Sequence, residues 1–103
     1  MDRIGMLNEI LAQNPNDAFA RYGLAMEFSK AGDVGRAMEE FRKLLSVNPD
    51  YTAGYFMAAQ TLARADRTEE AKKMLSDGIA SAKRSNNAHA ESEMQAMLDE
   101  LGG

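Results

Sequence analysis

The chain repeats itself at an offset of 34 residues. The pair Asn14-Pro15 recurs as Asn48-Pro49, and the apolar pattern that follows each pair recurs with it. A period of this length is typical of stacked supersecondary units, none of which buries its apolar side chains without a neighbour. The repeat therefore predicts a scaffold that presents a surface, in place of a cavity built around a reaction centre.

Composition and length limit the class of protein. At 103 residues, with 45% hydrophobic and 27% charged side chains, the chain is expected to form one small globular domain. It has no cysteine, which excludes a disulfide scaffold and a thiolate metal site. No 18 consecutive residues are apolar and the first residues form no apolar leader, so we predict a cytoplasmic protein that does not enter a membrane.

Charge is distributed unevenly along the chain. Residues 1–85 carry 12 basic and 12 acidic side chains, so the net charge of −4 comes entirely from the residues that follow. A nucleic acid is not an expected partner, because binding a phosphate backbone needs a clustered basic face. An acidic run of this kind is most often a solvated helix face. The acidic residues concerned are Glu91, Glu93, Asp99 and Glu100.

The spacing of apolar residues predicts six helices. Proline follows the first and the third, and the residue before a proline avoids the α-helical conformation. Asn86-Asn87 is the expected break before the last helix, with one fused helix from Thr68 to Leu101 as the alternative. The expected bounds are Asp2 to Gln13, Asn16 or Asp17 to Lys30, Val34 to Val47, Asp50 to about Asp66, Thr68 to about Ser85, and a terminal helix that carries Ala90 and Leu101.

Two turns between helices are expected to share one backbone conformation. Gly32 supplies a left-handed residue after the second helix, and Asp66 takes the same conformation after the fourth because Asp tolerates a positive φ. Asp33 then caps the third helix. The run Asp66-Arg67-Thr68-Glu69 is typical of a capping box and is expected to start the fifth helix.

Small residues recur in fixed places. Ala25 and Ala59 are one period apart, as are Ala37 and Ala71, and Gly78 lies inside the fifth helix. A glycine inside a helix costs about 1 kcal/mol relative to alanine, so a close helix contact is the expected reason for it. With Asn-Pro closing each unit, this pattern resembles the tetratricopeptide repeat family.

Two positions depart from the pattern of that family. The aromatic residue near the start of a unit is present as Tyr55 but is replaced by Arg21 one period earlier, and the small residue at Gly78 is replaced by Leu44. The spacing nevertheless matches over nearly the whole chain. The resemblance implies an all-α fold, a right-handed superhelical stack of antiparallel helix pairs.

The resemblance also divides the single domain into four parts. Residues 1–15 correspond to half of a unit, 16–49 and 50–85 to complete units, and 86–103 to a capping helix. The last helix keeps its apolar side chains inward only if the period lengthens by two residues near its start. That helix is expected to end the stack with a polar outer face.

In similar proteins the first helices of successive units line a concave groove that holds a peptide or a partner helix. On the second helix, Phe19, Tyr22 and Met26 cluster almost opposite Leu24 and Phe28 at about 100° per residue. One apolar face is expected in the core and the other in the groove. The alternative is that Phe19, Tyr22 and Met26 close against the N-terminal helix.

The resemblance places further groove residues on the fourth helix, at Phe56, Met57 and Gln60. Lys30 and Arg64 lie one period apart and are expected at one groove edge. There they either hold the carboxylates of a partner or remain solvated cations at helix ends.

The expected ligand is apolar and basic. An acidic wall formed by Glu93 and Asp99 beside aromatic and Met side chains would suit such a segment. One subclass of the family grips a terminal carboxylate through Lys, Asn and Arg, and the sequence disfavours that ligand class. None of the corresponding positions matches: they are Tyr22, Met26, Met57, His89 and Glu93.

The chain offers no catalytic constellation. His89 is the only histidine, and no cysteine or close carboxylate cluster stands beside it to make a metal site or a nucleophile. We therefore expect no enzyme activity, no cofactor and no metal ion.

Two functions remain open from the sequence. The first is a protein interaction module that receives a segment of another protein in its groove. The second is a structural protein that forms homodimers through the apolar face of its N-terminal half-unit. The first predicts a monomer, and the second predicts a dimer that Ile4→Asp or Phe19→Asp dissociates.

Overall fold

The computed structural model describes residues 2–103, which form six α-helices and no β-strand within that range. The predicted all-α class is therefore confirmed, and every predicted helix is present close to its expected bounds. The helices are α1 Arg3–Gln13, α2 Ala18–Lys30, α3 Val34–Val47, α4 Thr52–Arg64, α5 Thr68–Arg84 and α6 Ala88–Glu100.

Four helices end at residues with a left-handed backbone, and after α6 that residue is Gly102, with a φ of 94°. Gly32 follows α2 with a φ of 79°, Asp66 follows α4 with a φ of 60°, and Asn86 follows α5 with a φ of 55°. The expectation for Gly32 and Asp66 is confirmed. Asn86 breaks the chain between α5 and α6, so the alternative of one fused helix is wrong. Asn and Asp tolerate this conformation because their short polar side chains bond locally.

Side-chain oxygens cap four of the helix starts. Each accepts a hydrogen bond from the backbone N–H three residues later, which satisfies one of the free donors of the first turn. The predicted cap at Asp33 is confirmed, and of the two expected starts of the second helix, Asn16 and Asp17, it is Asp17 that caps α2. The pairs are Asp2 with Gly5, Asp17 with Ala20, Asp33 with Arg36, and Asn87 with Ala90.

The predicted capping box at the start of α5 is wrong. Asp66 is used for the left-handed turn, so the N-cap is Arg67, which makes no side-chain hydrogen bond to the backbone. Arg67 instead donates two hydrogen bonds to the carboxylate of Glu70, at 2.6 and 2.7 Å. These bonds hold the pKa of Glu70 below its usual value. An ion pair between Arg67 and Glu70 thus lies one residue later than the expected box.

Asp50 was predicted to start α4, and this prediction is wrong. The N-cap is Tyr51, again without a side-chain cap. The carboxylate of Asp50 is turned toward α5, where it accepts hydrogen bonds from Arg84 at 2.8 Å and from Ser81 at 3.3 Å. It therefore ties the turn between the units to the end of α5.

The helices stack in an elongated body of 41 × 29 × 18 Å. Within residues 2–103, the backbone of each helix closely approaches the next one in the chain, and the remaining close approaches join α2 to α4 and α4 to α6. The backbones of α1, α3 and α5 do not approach one another closely in this range, although Arg42 of α3 lies 3.8 Å from Glu70 of α5. Helices α2, α4 and α6 therefore form the layer in which alternate helices approach one another, which we call the inner layer.

Alanine residues allow the helices to approach closely. The alanines that the resemblance placed at helix crossings have no exposed surface, and they share clusters with large apolar side chains such as Phe41 and Leu75. A larger side chain there would force the backbones apart. These alanines are Ala25, Ala37, Ala59 and Ala71.

The tightest approach between helices lies at Gly78. A Cβ atom on Gly78 would lie 2.5 Å from Met94 Sδ and 2.6 Å from Tyr55 Cβ. No side chain fits between α5 and its two neighbours at this point. The close helix contact expected from the sequence is confirmed.

Arg21 occupies the position that Tyr55 occupies one period later, and both side chains donate a hydrogen bond to the carbonyl of the preceding Asn-Pro pair. The Tyr55 hydroxyl donates to the carbonyl of Pro49 at 2.7 Å, and Arg21 Nη2 donates to the carbonyl of Pro15 at 3.0 Å. The other guanidinium nitrogen of Arg21 forms an ion pair with Glu40, which is 8% exposed. An arginine can therefore replace the aromatic residue because α3 supplies a buried carboxylate.

The contact at Gly78 yields a testable prediction. Gly78→Ala is expected to lower the free energy of unfolding by about 1–3 kcal/mol, because the added methyl overlaps Tyr55 Cβ, which is fixed to its backbone. Urea denaturation followed by circular dichroism measures the change. The matched control is Gly35→Ala, where no atom lies within 4 Å of the added methyl, and the helix propensity of alanine is expected to raise stability by up to about 1 kcal/mol. Equal effects of the two substitutions would contradict the steric explanation.

Candidate partner-binding groove

Helix α2 uses two apolar faces, as its sequence predicts. Leu24 is buried in a cluster with Leu7 and Leu11 of α1. Tyr22 and Met26 pack instead against a second cluster, built from α2, α3, α4 and α5. The alternative in which the groove residues of α2 close against the N-terminal helix is therefore not what the structure shows, because α1 covers the opposite face.

Tyr22 lies beside Tyr51, which precedes α4. The ring centroids are 5.4 Å apart and the planes are inclined by 44°, a tilted arrangement favoured by aromatic rings. Burial raises the pKa of both phenols, and the neighbouring Tyr51 adds to the increase for Tyr22. The pair links α2 to the start of α4 on the inner side of the stack.

Phe19 is the most solvent-exposed of the predicted groove residues. Its side chain is 73% exposed, the highest value among the large hydrophobic residues in residues 2–103. It lies near the start of α2 and lines neither of the depressions described below. The structure therefore separates Phe19 from Tyr22 and Met26, which are half-buried.

Phe56 lies at the centre of a groove between α4 and α6. Two depressions of about 160 and 390 Å³ run along this pair of helices, and Phe56 and Glu93 line both. We call them together the α4–α6 groove. The first is also lined by Thr52, Ala53, Asn87, Ala90 and Met94, and the second by Gln60, Ala96, Met97 and Glu100.

Met57 and Gln60 of α4 make different contacts. Gln60 joins Phe56 in the α4–α6 groove. Met57 is half-buried and packs against the same cluster as Tyr22 and Met26. The structure thus brings together two sets of predicted residues on the inner layer, one between α2 and α4 and one between α4 and α6.

The two predicted edge cations are engaged within the protein. Arg64 Nη2 donates to the hydroxyl of Ser29 at 2.9 Å, and that hydroxyl lies 2.7 Å from the hydroxyl of Thr61. Lys30 Nζ lies 3.4 Å from Glu27. Both cations lie in the last turn of their helices, where they also interact favourably with the helix dipole.

The acidic wall is formed by Glu93 and Glu100, and the prediction of Asp99 for it is wrong. Asp99 accepts a hydrogen bond from Gln95 at 3.0 Å and lies outside both depressions. A step of six residues turns a helix by about 600°, well away from the starting face, whereas seven residues return almost to it. Glu100 therefore shares a face with Glu93.

The sequence also missed the apolar part of α6 in the groove. Ala96 and Met97 line the second depression together with Glu93 and Glu100. These four residues follow the spacing i, i+3, i+4 and i+7, which marks one face of a helix. This spacing can be read from the sequence. It was missed because groove positions on α6 were assigned from those on the preceding unit, although the period lengthens by two residues before α6.

Residues 2–103 provide no metal-binding cluster, since no three His, Cys, Asp or Glu side chains converge there. His89 is 87% exposed, and its Nε2 lies 2.7 Å from Glu93. No helix in the described range combines the length and the apolarity that crossing a bilayer requires.

The buried phenols predict a stability that falls at high pH. Burial is the largest cause that raises the pKa of Tyr22, Tyr51 and Tyr55 above 10.0. A phenol with a raised folded-state pKa contributes stability that is fully present below its unfolded pKa and lost as pH rises through the folded pKa. We expect the free energy of unfolding to fall above about pH 10, measured by urea denaturation across that range. Tyr22→Phe should reduce this pH dependence, and an unchanged slope in that variant would contradict the assignment.

Comparison with known proteins identifies the family. The family model described as tetratricopeptide repeat matches residues 28–98. A TPR repeat-containing protein from Pseudomonas aeruginosa is 30% identical over 95 residues, which cover 92% of this chain and 90% of that protein.

Solved structures agree with that match. The solution structure of a tetratricopeptide repeat domain protein from Salinibacter ruber superimposes with a TM-score of 0.80 and 32% identity, covering 87% of this chain and 91% of that one. The solution structure of a protein from Bordetella parapertussis superimposes with a TM-score of 0.84, covering 98% of this chain and 88% of that one. At 21% identity, this second likeness shows the fold alone. The helix stack, its buried alanines and these matches show that the chain belongs to the tetratricopeptide repeat family.

Proposed function

We propose that the protein is an interaction module that holds a segment of another protein in its concave groove, without catalysing a reaction. The family generally provides scaffolds for protein–protein interaction. The proposal includes the groove and its occupant. It also includes a cytoplasmic location and the division into units at residues 16–49 and 50–85.

The observation that carries the proposal is the position of Phe56. Its ring is half-buried against the cluster of Tyr55, Ala59 and Leu75, yet it lines both depressions of the α4–α6 groove. An aromatic side chain held in place by a core and open on its other face is well suited to anchor a partner. Covering it would contribute about 1.5–3 kcal/mol.

The second part of the groove lies between α2 and α4. Tyr22, Met26 and Met57 are half-buried there on one common cluster and offer apolar contact area. Phe19, near the start of α2, offers a separate exposed apolar side chain. Lys30 and Arg64 bound this part at the ends of α2 and α4, where they would hold carboxylates of a partner at the cost of their internal contacts.

Loss of the Phe56 ring is expected to remove partner binding. The immobilised protein is incubated with a lysate of its source organism, and captured proteins are compared by mass spectrometry for the wild type, Phe56→Ser and Val47→Ser. Val47 is a matched control, because it is 58% exposed at the end of α3, which lies outside the inner helix layer. We expect a protein that the wild type and Val47→Ser retain and Phe56→Ser loses. Identical capture by all three chains would contradict the groove.

A second candidate function is self-association through α1. Met6 and Ile10 are 50% and 44% exposed and border a depression of about 420 Å³ on this helix. One period later, the residue equivalent to Met6 is Glu40, which holds Arg21 of α2. The exposed side of α1 is thus equivalent to the side of α3 that packs against α2. A second copy of the chain could cover this side of α1.

Sedimentation velocity at several protein concentrations separates the two functions. The groove proposal predicts a monomer at every concentration. A dimer that Ile10→Asp dissociates would instead favour self-association. Ile10 is the better position for this test than Ile4, because Ile4 packs against the cluster shared by α1 and α2, and its replacement would damage the fold.

A further inference from the structure

We propose that the α4–α6 groove takes a segment of another protein that combines apolar side chains with lysine or arginine. This inference rests on the proposed function, because it names the chemistry of the partner that the groove binds. Three observations carry it: the course of the groove, the charge of its wall, and the distance between its carboxylates.

The groove runs lengthwise along two helices that point in the same direction. One depression is lined by residues from the first turns of both helices, such as Thr52 and Asn87, and the other by residues nearer their ends, such as Gln60 and Glu100. Because Phe56 and Glu93 border both, the two depressions form one continuous path. At 1.5 Å of rise per residue, this path is about 12–20 Å long, which suits an elongated occupant such as a peptide segment.

The wall of the groove carries one sign of charge. Glu93 and Glu100 line it, and no lysine or arginine lines either depression in the part of the chain that the structure describes. Within residues 2–103, Glu100 forms no ion pair, and the only ion-pair contact of Glu93 is with the exposed ring of His89. Arg64, at the end of α4, donates to Ser29 of α2. The carboxylates therefore remain available to cations of a partner.

The distance between the carboxylates sets the spacing of those cations. Seven residues along α6 separate Glu93 from Glu100, which corresponds to about 10 Å along the helix. Two basic residues seven apart in a helical segment, or three apart in an extended one, span the same distance. Apolar residues between them would lie over Phe56 and Met97, so the occupant is apolar at its centre and basic on either side.

The test selects binders from a displayed library of random 14-residue peptides. The library is enriched on the immobilised full chain, and each recovered peptide is then measured against Phe56→Ser and Val47→Ser. We expect the peptides that need Phe56 to be rich in apolar residues and in lysine or arginine, with an affinity that falls as salt is added.

A matched pair of charge variants tests the role of the wall. Glu93→Gln with Glu100→Gln removes two charges inside the groove, and Glu69→Gln with Asp99→Asn removes two charges outside it. We expect the first variant to bind the selected peptides about 5- to 30-fold more weakly and the second to change affinity by less than about 2-fold. The control matters because any acidic protein attracts basic peptides weakly.

Each outcome is decisive. If the peptides that need Phe56 are neutral or acidic, or if both charge variants weaken binding equally, the basic partner is ruled out and the groove proposal stands. If no recovered peptide needs Phe56, the groove proposal fails as well. Basic, apolar peptides that lose affinity only with the groove variant would support the inference.

Discussion

The close approach of helix backbones at alanine and glycine is the constraint on which the rest of this structure depends. Ala25, Ala37, Ala59 and Ala71 have no exposed surface, and Gly78 leaves no space for a side chain. Where helices pack this tightly, their relative positions are fixed by backbone contact, which a flexible side chain cannot loosen. The inner layer of α2, α4 and α6 then follows from the geometry of successive pairs, and with it the concave surface that we propose as the binding site.

The candidate site depends equally on a place where the repeat is imperfect. A strict repeat would give α6 the groove residues of α4, but α5 has 17 residues where α3 has 14, and the resulting shift turns a different face of α6 inward. Met94 becomes buried against Gly78, and Glu93 and Glu100 take positions along the groove beside Phe56. The charge of the groove therefore belongs to this chain rather than to the general architecture of its family.

Much of the fold could be predicted from the sequence, because the period, the prolines and the buried small residues act locally or repeat. The N-caps at Tyr51 and Arg67 could not be predicted. The aspartates expected to cap these helices are used elsewhere, Asp50 in contacts with α5 and Asp66 in the left-handed turn, and the sequence does not show which use prevails. The groove was predicted in part. Phe56 and Gln60 followed from the repeat, whereas Glu100 required the rotation of α6, which two inserted residues change by more than half a turn.

The position of α6 at one end of the described stack has a consequence for how binding and folding are linked. Within residues 2–103, this helix contacts only α4 and α5, and it supplies one whole wall of the groove. Segments held from one side open locally at lower free energy than a core does. A molecule with α6 undocked would lack the groove that we propose as the binding site, so the apparent affinity for a partner would be reduced by the fraction of molecules in that state. A partner bound in the proposed groove would in turn slow amide hydrogen exchange in α6, because it would complete the packing of the terminal helix.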